Sequence, residues 1–223
     1  MGQVFDNWPE TYDQWFATPI GRLVKKCEGE LLFDLIQPNR GDFILDAGCG
    51  TGVFTLDLLH LGCHIIGIDL SMPMLVRAKE KARGYPFRIV RADLLNLPFF
   101  ENSFDKVISV TALEFIGDGR RATEELFRVT KKGGSLVVAT LNSLSPWAHQ
   151  RKAEAREKHT IFEQAVFRSP EEVLSLTPIQ GEIRTAVHFR KDDNPELAPG
   201  IEQEGVEKGS KTGAFLVARW VKP

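Results

Sequence analysis

Short apolar runs alternate with helix-period segments along the first two thirds of the chain. Phe43-Ile44-Leu45 is strand-like and stops at Asp46-Ala47-Gly48. From about Thr51 to Leu61, Val53, Phe54, Leu56, Leu58 and Leu59 fit a helix with a broad apolar face, ended by Gly62. His64 to Ile68 is a second strand and leads to Asp69. Ser71 and Pro73 predict the start of a helix over Met72 to Ala82. Phe87 to Arg91, Phe104 to Val110 and Ser135 to Leu141 are further strands, with a helix around Ala122 to Val129. Alternation of this kind predicts an α/β fold, a doubly wound and mostly parallel sheet. Ligands in such sheets sit at the carboxyl ends of the strands, which points to Asp46, Asp69, Asp93 and the stretch Thr111 to Phe115.

The last 80 residues follow a different pattern. Trp147 to Thr160 is charged and helix-compatible, and Ser169-Pro170-Glu171-Glu172 has the composition of a capped helix start. Ile183 to Arg190 and Ala214 to Val221 are strand candidates, expected to close the sheet as an antiparallel pair. Acids, prolines and glycines between Asp192 and Gly213 predict a long loop or a partly ordered tongue. The organisation expected is a single domain over 1–223. Cap helices occupy 1–39, a cofactor-binding core 40–141, a substrate lid 142–182 and the closing strands 183–223.

Composition narrows the classes. The 223 residues are 43% hydrophobic and 26% charged, with a formal net charge of -2. A chain of this size buries a core without staples. The near balance of charge disfavours a nucleic-acid coat. Three cysteines at no disulfide or metal spacing suggest a reducing compartment, and we expect a cytoplasmic protein with no metal site. No apolar run approaches bilayer length, and no basic leader precedes one. Nothing here separates a monomer from a homodimer.

The candidate chemistry lies in Asp46-Ala47-Gly48-Cys49-Gly50-Thr51-Gly52, a glycine turn between a strand and a helix. Such a turn admits close approach of a ligand, and we expect the helix N-terminus to aim free amides into the same crevice. The spacing is G-x-G-x-G, whereas a dinucleotide fingerprint needs glycine where Val53 stands. Asp69 ends the second strand and suits the two hydroxyls of a ribose, which leaves NAD and other nucleosides both open. Asp93, ending the third strand beside Leu94, is placed to accept from an exocyclic amine. No G-K-[ST] follows the glycines, so a Walker phosphate loop is absent.

Together these segments resemble the class I S-adenosylmethionine-dependent methyltransferases. Within them the chain resembles the type 11 small-molecule branch similar to ubiquinone and menaquinone biosynthesis methyltransferases. Ile44 to Gly52 resembles the first motif, Gly67-Ile68-Asp69-Leu70-Ser71 the ribose-binding acid, and Asp93-Leu94 the pair beside adenine. Leu97-Pro98-Phe99 with Ser103-Phe104-Asp105, and Leu126 to Gly134, resemble the approaches to the fourth and fifth strands. The resemblance implies a seven-stranded Rossmann-like sheet and S-adenosylmethionine as cofactor, with S-adenosylhomocysteine as product. It implies a cofactor set of Tyr12, Asp46, Gly48, Cys49, Gly50, Gly52, Asp69, Leu70, Asp93 and Leu94. Tyr12, in the segment Tyr12-Asp13-Gln14-Trp15, would reach the methionine carboxylate. Alternatively, Tyr12, Trp15 and Phe16 cover the sheet edge.

Transfer from a sulfonium is an in-line displacement that needs alignment and exclusion of water more than a base. Glu114, His149 and Tyr12 are the candidate catalytic residues, with Glu114 alternatively bonded to a backbone amide. Cys49 is expected to pack rather than react. Trp147, His149 and His159 are candidates for a lid over the substrate, and a solvated helix is the alternative. The acceptor expected is a small molecule. Protein, lipid or RNA methylation on the same fold, and a non-catalytic cofactor-binding protein, are the other readings; a nucleic-acid partner is disfavoured by the mixed charge of Arg151 to His159.

Overall fold

The computed structural model describes residues 5–158 and 160–223. Its centre is one seven-stranded sheet in the order β3-β2-β1-β4-β5-β7-β6. The strands are β1 (Phe43–Ala47), β2 (His64–Asp69), β3 (Phe87–Arg91), β4 (Phe104–Val110), β5 (Thr130–Leu141), β6 (Gly181–Ala186) and β7 (Phe215–Val221). All pairings from β3 through β5 are parallel, and β7 runs antiparallel to both β5 and β6. The strand order reverses between β1 and β4, which places a ligand crevice at their carboxyl ends.

Alternation along each strand divides the core in two. Ile44, Ile108, Val137 and Val217 join the cluster on one face. Leu45, Val107, Leu136 and Leu216 join the cluster on the other. The first face is covered by α1 (Pro9–Ala17), α2 (Pro19–Ile36), α3 (Thr55–His60), α4 (Met72–Lys81), and by Trp147 of a later helix. The second carries α5 (Gly119–Val129) and, further along, α7 (Pro170–Leu174). Between them α6 (Pro146–Lys158) crosses from β5, and α8 (Ala198–Glu207) precedes β7. Among the described residues no helix is long and apolar enough to cross a membrane.

The capping signals act as expected. The Ser71 hydroxyl accepts from the Met74 amide, and Ser169 and Glu172 form a reciprocal capping box at α7. Two expectations are corrected. The helix expected from Thr51 begins only at Thr55, because Gly50 and Gly52 take positive φ (51° and 74°) and hold the preceding residues in a turn. The tongue expected over Asp192 to Gly213 contains α8. A tertiary contact overrides its loop-like composition: Glu202 accepts from the amides of Val187 and His188 at 2.9 and 2.6 Å. Gly205 completes the fit, since a Cβ there would stand 2.2 Å from the His188 ring.

Lys222, just past β7, ties the sheet to α5. Its ammonium donates to the carbonyl oxygens of Phe127, Arg128 and Thr130 at 2.7–3.1 Å. These carbonyls lie at the C-terminal end of α5 and the start of β5, and a cation there opposes the helix dipole. Replacing Lys222 with Met should lower the unfolding free energy by about 1–2 kcal/mol. Urea denaturation checks this, with a midpoint equal to wild type as the contrary result.

Candidate active site

The glycine turn is built by one acceptor. The Ile68 carbonyl, in β2, takes both the Gly48 amide at 2.8 Å and the Cys49 amide at 2.9 Å. Gly48 must be glycine twice over: its φ is +82°, and a Cβ would lie 2.4 Å from that of Ala112. The Gly50 amide donates to Asp69 Oδ2 at 3.0 Å and the Gly52 amide to the Cys49 carbonyl at 2.8 Å. These four amides are all spent on shaping the turn. Space above Gly50 is open, with nothing within 4 Å of where a Cβ would project.

Asp69 is held from both sides, by Gly50 on Oδ2 and by the Ser71 amide on Oδ1 at 2.8 Å. Burial raises its pKa, and the amide bonds from Ser71 and Gly50 oppose the rise. Asp46 is buried at the end of β1 with the Thr55 hydroxyl donating to Oδ2 at 2.5 Å. Burial pushes its pKa up to about 7. The Asp93 carboxylate accepts from the Leu95 amide at 2.9 Å, which fixes the turn after β3. Burial pushes the Cys49 thiol well up, so it sits as a packed, protonated group.

These groups surround a cavity of about 670 Å³, within the size range of small-ligand sites. Tyr12, Asp46, Gly48, Cys49, Gly50, Asp69, Leu70, Asp93 and Leu94 all line it. Gly52 does not; it faces α4, where a Cβ would lie 3.3 Å from that of Ala78. Phe5, Phe115 and the segment Thr160 to Gln164 supply the outer wall. The rings of Phe5 and Phe115 meet edge to face at 4.7 Å, and Phe162 lies 6.1 Å beyond Phe115.

The cover is tethered to the floor. Asp13 of α1 accepts from the Thr51 hydroxyl at 2.6 Å, from Arg77 at 3.0 Å and from Lys81 at 2.9 Å. One carboxylate thus binds α1 to the glycine turn and to α4, and these partners lower its pKa against the effect of burial. Its neighbour Tyr12 is turned into the cavity, where burial raises the phenol pKa beyond its ordinary range and the Thr111 side chain is its partner. Tyr12 also packs on Phe16, so cavity lining and sheet cover are the work of one aromatic group. Thr111 has φ +48°, a strained conformation for a β-branched residue, at the cavity wall.

The candidate catalytic residues separate. Glu114 is fully buried behind the cavity wall. Its Oε1 accepts the Leu141 amide at 2.7 Å while Oε2 has no hydrogen-bond partner. Burial raises its pKa to about 6. His149 is exposed and does not line the cavity. On α6, Trp147 and Arg151 are four residues apart and turn inward, which sends His149 to the opposite side. Trp147 is no lid: it is buried and donates to the Phe189 carbonyl at 2.6 Å. His159 lies outside the described residues.

Two further charged residues, Glu28 and Arg151, belong to no sequence motif. Glu28 of α2 is 7% exposed, and burial pushes its pKa up to about 8, opposed by the charge of Arg151 and reinforced by Glu114. Arg151 lies over the rings of Trp147 and Phe162 at 5.2 and 5.5 Å, and burial lowers its pKa against the pull of Glu28 and Glu114. The signal for Glu28 was its place on the apolar side of a helix, with Val24, Leu32 and Leu35. Among the described residues no group of three or more His, Cys, Asp or Glu is placed to hold a metal.

Comparison with known proteins agrees with this geometry. A family described as "Methyltransferase domain" matches residues 45–138. An uncharacterized protein of Methanocaldococcus jannaschii is 30% identical over 216 residues, 96% of each chain. A malonyl-[acyl-carrier protein] O-methyltransferase of Hamiltonella defensa is 31% identical over 205 residues, covering 88% of this chain and 76% of its own. The chain spans about half (53%) of the enzyme of the same name from Pectobacterium atrosepticum, at 35% identity. A Thermotoga maritima structure, described as a SAM-dependent methyltransferase and possible histamine N-methyltransferase, superposes with a TM-score of 0.78 at 22% identity. It covers 99% of this chain and 98% of its own.

The buried acids give a signed pH dependence. Below the ordinary carboxyl value of 4.5, Glu28 is protonated folded or unfolded and costs nothing. Between 4.5 and about 8 the unfolded chain ionises while the folded residue stays protonated, so stability falls as pH rises. Asp46 acts in the same direction. Glu28→Gln should gain stability relative to wild type between about pH 5 and about pH 8, with a slope of at most about 1.4 kcal/mol per pH unit. Thermal melts across that range test it, and parallel curves for the two proteins would refute it.

Proposed function

The chain belongs to the class I S-adenosylmethionine-dependent methyltransferases, and from that premise we propose that it methylates a small-molecule acceptor by positioning it in line with the cofactor's methyl group. Bound S-adenosylmethionine supplies an electrophilic methyl on a positively charged sulfur. The residues of the cavity fit it. Asp69, already oriented by two amides, presents its carboxylate to the ribose hydroxyls. Asp93 and Leu94 flank the adenine, and the open approach above Gly50 admits the methionine portion. Tyr12, carried on the tethered α1, closes over that portion.

What remains for the protein is alignment and dryness. Phe5 and Phe115 with the Thr160–Gln164 segment wall off the outer cavity. Neither Glu114 nor His149 reaches the cavity wall, which supports a reaction governed by placement. The names of the similar proteins include a malonyl group on a carrier protein and an amine. Both are small reacting groups and support a small acceptor without choosing between them. Three free cysteines accord with a reducing compartment, and we assign the cytoplasm.

The observation that carries this reading is the pair of acids, Asp69 and Asp93, at the ends of adjacent strands over one cavity. S-adenosylhomocysteine should bind with a Kd on the order of micromolar, and Asp69→Ala should weaken it about 10–100-fold, the worth of a charged hydrogen-bond acceptor. Calorimetry decides; folded wild-type protein that binds no S-adenosylhomocysteine would end the proposal.

A further inference from the structure

We propose that α1 is a gate hinged at Thr18, that Asp13 is the latch holding it shut, and that this latch sets the rate at which S-adenosylhomocysteine leaves. The inference rests on the reading of the cavity as an S-adenosylmethionine site. None of the nine residues of α1 is fully buried. Its apolar side chains Tyr12, Trp15 and Phe16 lean on the core as partly buried neighbours of the cluster beneath. Such contacts are non-directional and fix no single position. The directional contacts from α1 to the glycine turn and to α4 run through one carboxylate. Asp13 accepts from Thr51, Arg77 and Lys81 at 2.6, 3.0 and 2.9 Å, and Lys81 also donates to the Thr51 hydroxyl at 3.3 Å. Thr51 is fully buried between Gly50 and Gly52, so the latch is fastened to the glycine turn itself.

Two features let α1 move as a unit. It ends at Thr18, a single extended residue (φ -68°, ψ 157°), and α2 begins at the next residue, Pro19. A junction of this kind lets a helix swing with change at few dihedrals. At its other end α1 carries part of the cavity wall. The Trp8 amide donates to the Phe5 carbonyl at 3.1 Å and the Tyr12 amide to the Trp8 carbonyl at 2.9 Å, so Phe5 and Tyr12 travel together. Both line the cavity. Opening α1 withdraws both walls at once. Closing it returns Tyr12 to the Thr111 side chain and the Phe5 ring to Phe115. The Asp13 side chain is 18% exposed, against 23% for Lys81 and 43% for Arg77. Three partners on one partly buried carboxylate hold more firmly than an isolated surface pair, yet remain open to screening by salt.

The test measures the dissociation rate of S-adenosylhomocysteine from the full chain by stopped-flow tryptophan fluorescence, at low salt and at about 1 M NaCl. Asp13→Asn should raise that rate at least about tenfold at low salt, the equivalent of one charge-assisted hydrogen bond. High salt should speed release from the wild type and leave Asp13→Asn nearly unaffected, a response that a purely structural role for Asp13 would not produce. Asp13→Glu, which keeps the charge, should keep the salt response. Should Asp13→Asn not fold, Lys81→Met and the wild-type salt response decide, and both should show faster release. An unchanged rate in the variants overturns the proposal. So does a faster rate in Asp13→Asn that still responds to salt as the wild type does, because charge would then not be what holds the gate. Failure of the folded wild type to bind S-adenosylhomocysteine is a separate result and removes the underlying reading.

Discussion

Everything in the site depends on the two amides that converge on the Ile68 carbonyl. That carbonyl belongs to β2, while the amides belong to the chain leaving β1. The bonds fold the glycine turn across the strand ends, and so place Asp46 and Asp69, from neighbouring strands, against one space. The turn reaches that carbonyl only because Gly48 takes a positive φ and leaves no Cβ to strike Ala112. Gly50 then spends its amide on Asp69, so the loop orients an acid that lines the cavity. The turn works as a frame for carboxylates more than as a cradle of amide donors.

The energetic character of the site follows from where these carboxylates sit. Glu28, Asp46 and Glu114 are all buried and all have raised pKa values. A fold selected for stability alone would fill such positions with apolar side chains. The opposing contribution comes from the sheet, whose two faces are packed with aliphatic residues, and from local stitching such as Lys222 and the α7 capping box. Thr111 adds backbone strain at the same place. Destabilising features are gathered at one end of the sheet, and the rest of the molecule carries them.

The cofactor half was legible because its physics is local. A strand, a glycine turn and an acid at a strand end lie within a few residues of one another, and each has a sequence signature. Asp46, Asp69 and Asp93 therefore declare themselves. The cluster of buried charges is different. Glu28 and Arg151 lie more than a hundred residues apart, and only the docking of α2 and α6 on the finished sheet brings them together. His149 was attractive as a titratable residue near the right place, yet helical periodicity turns it to solvent. The α8 segment misled for a related reason: its composition is that of a loop, and it is helical because Glu202 finds two strand amides.

The acid and arginine cluster stands on α2 and α6, outside the stretch of chain that shapes the cofactor cavity. Each change there that swaps a buried charge for an apolar group relieves the fold. The cluster is therefore a place where stability can be gained without touching any residue that lines the cavity.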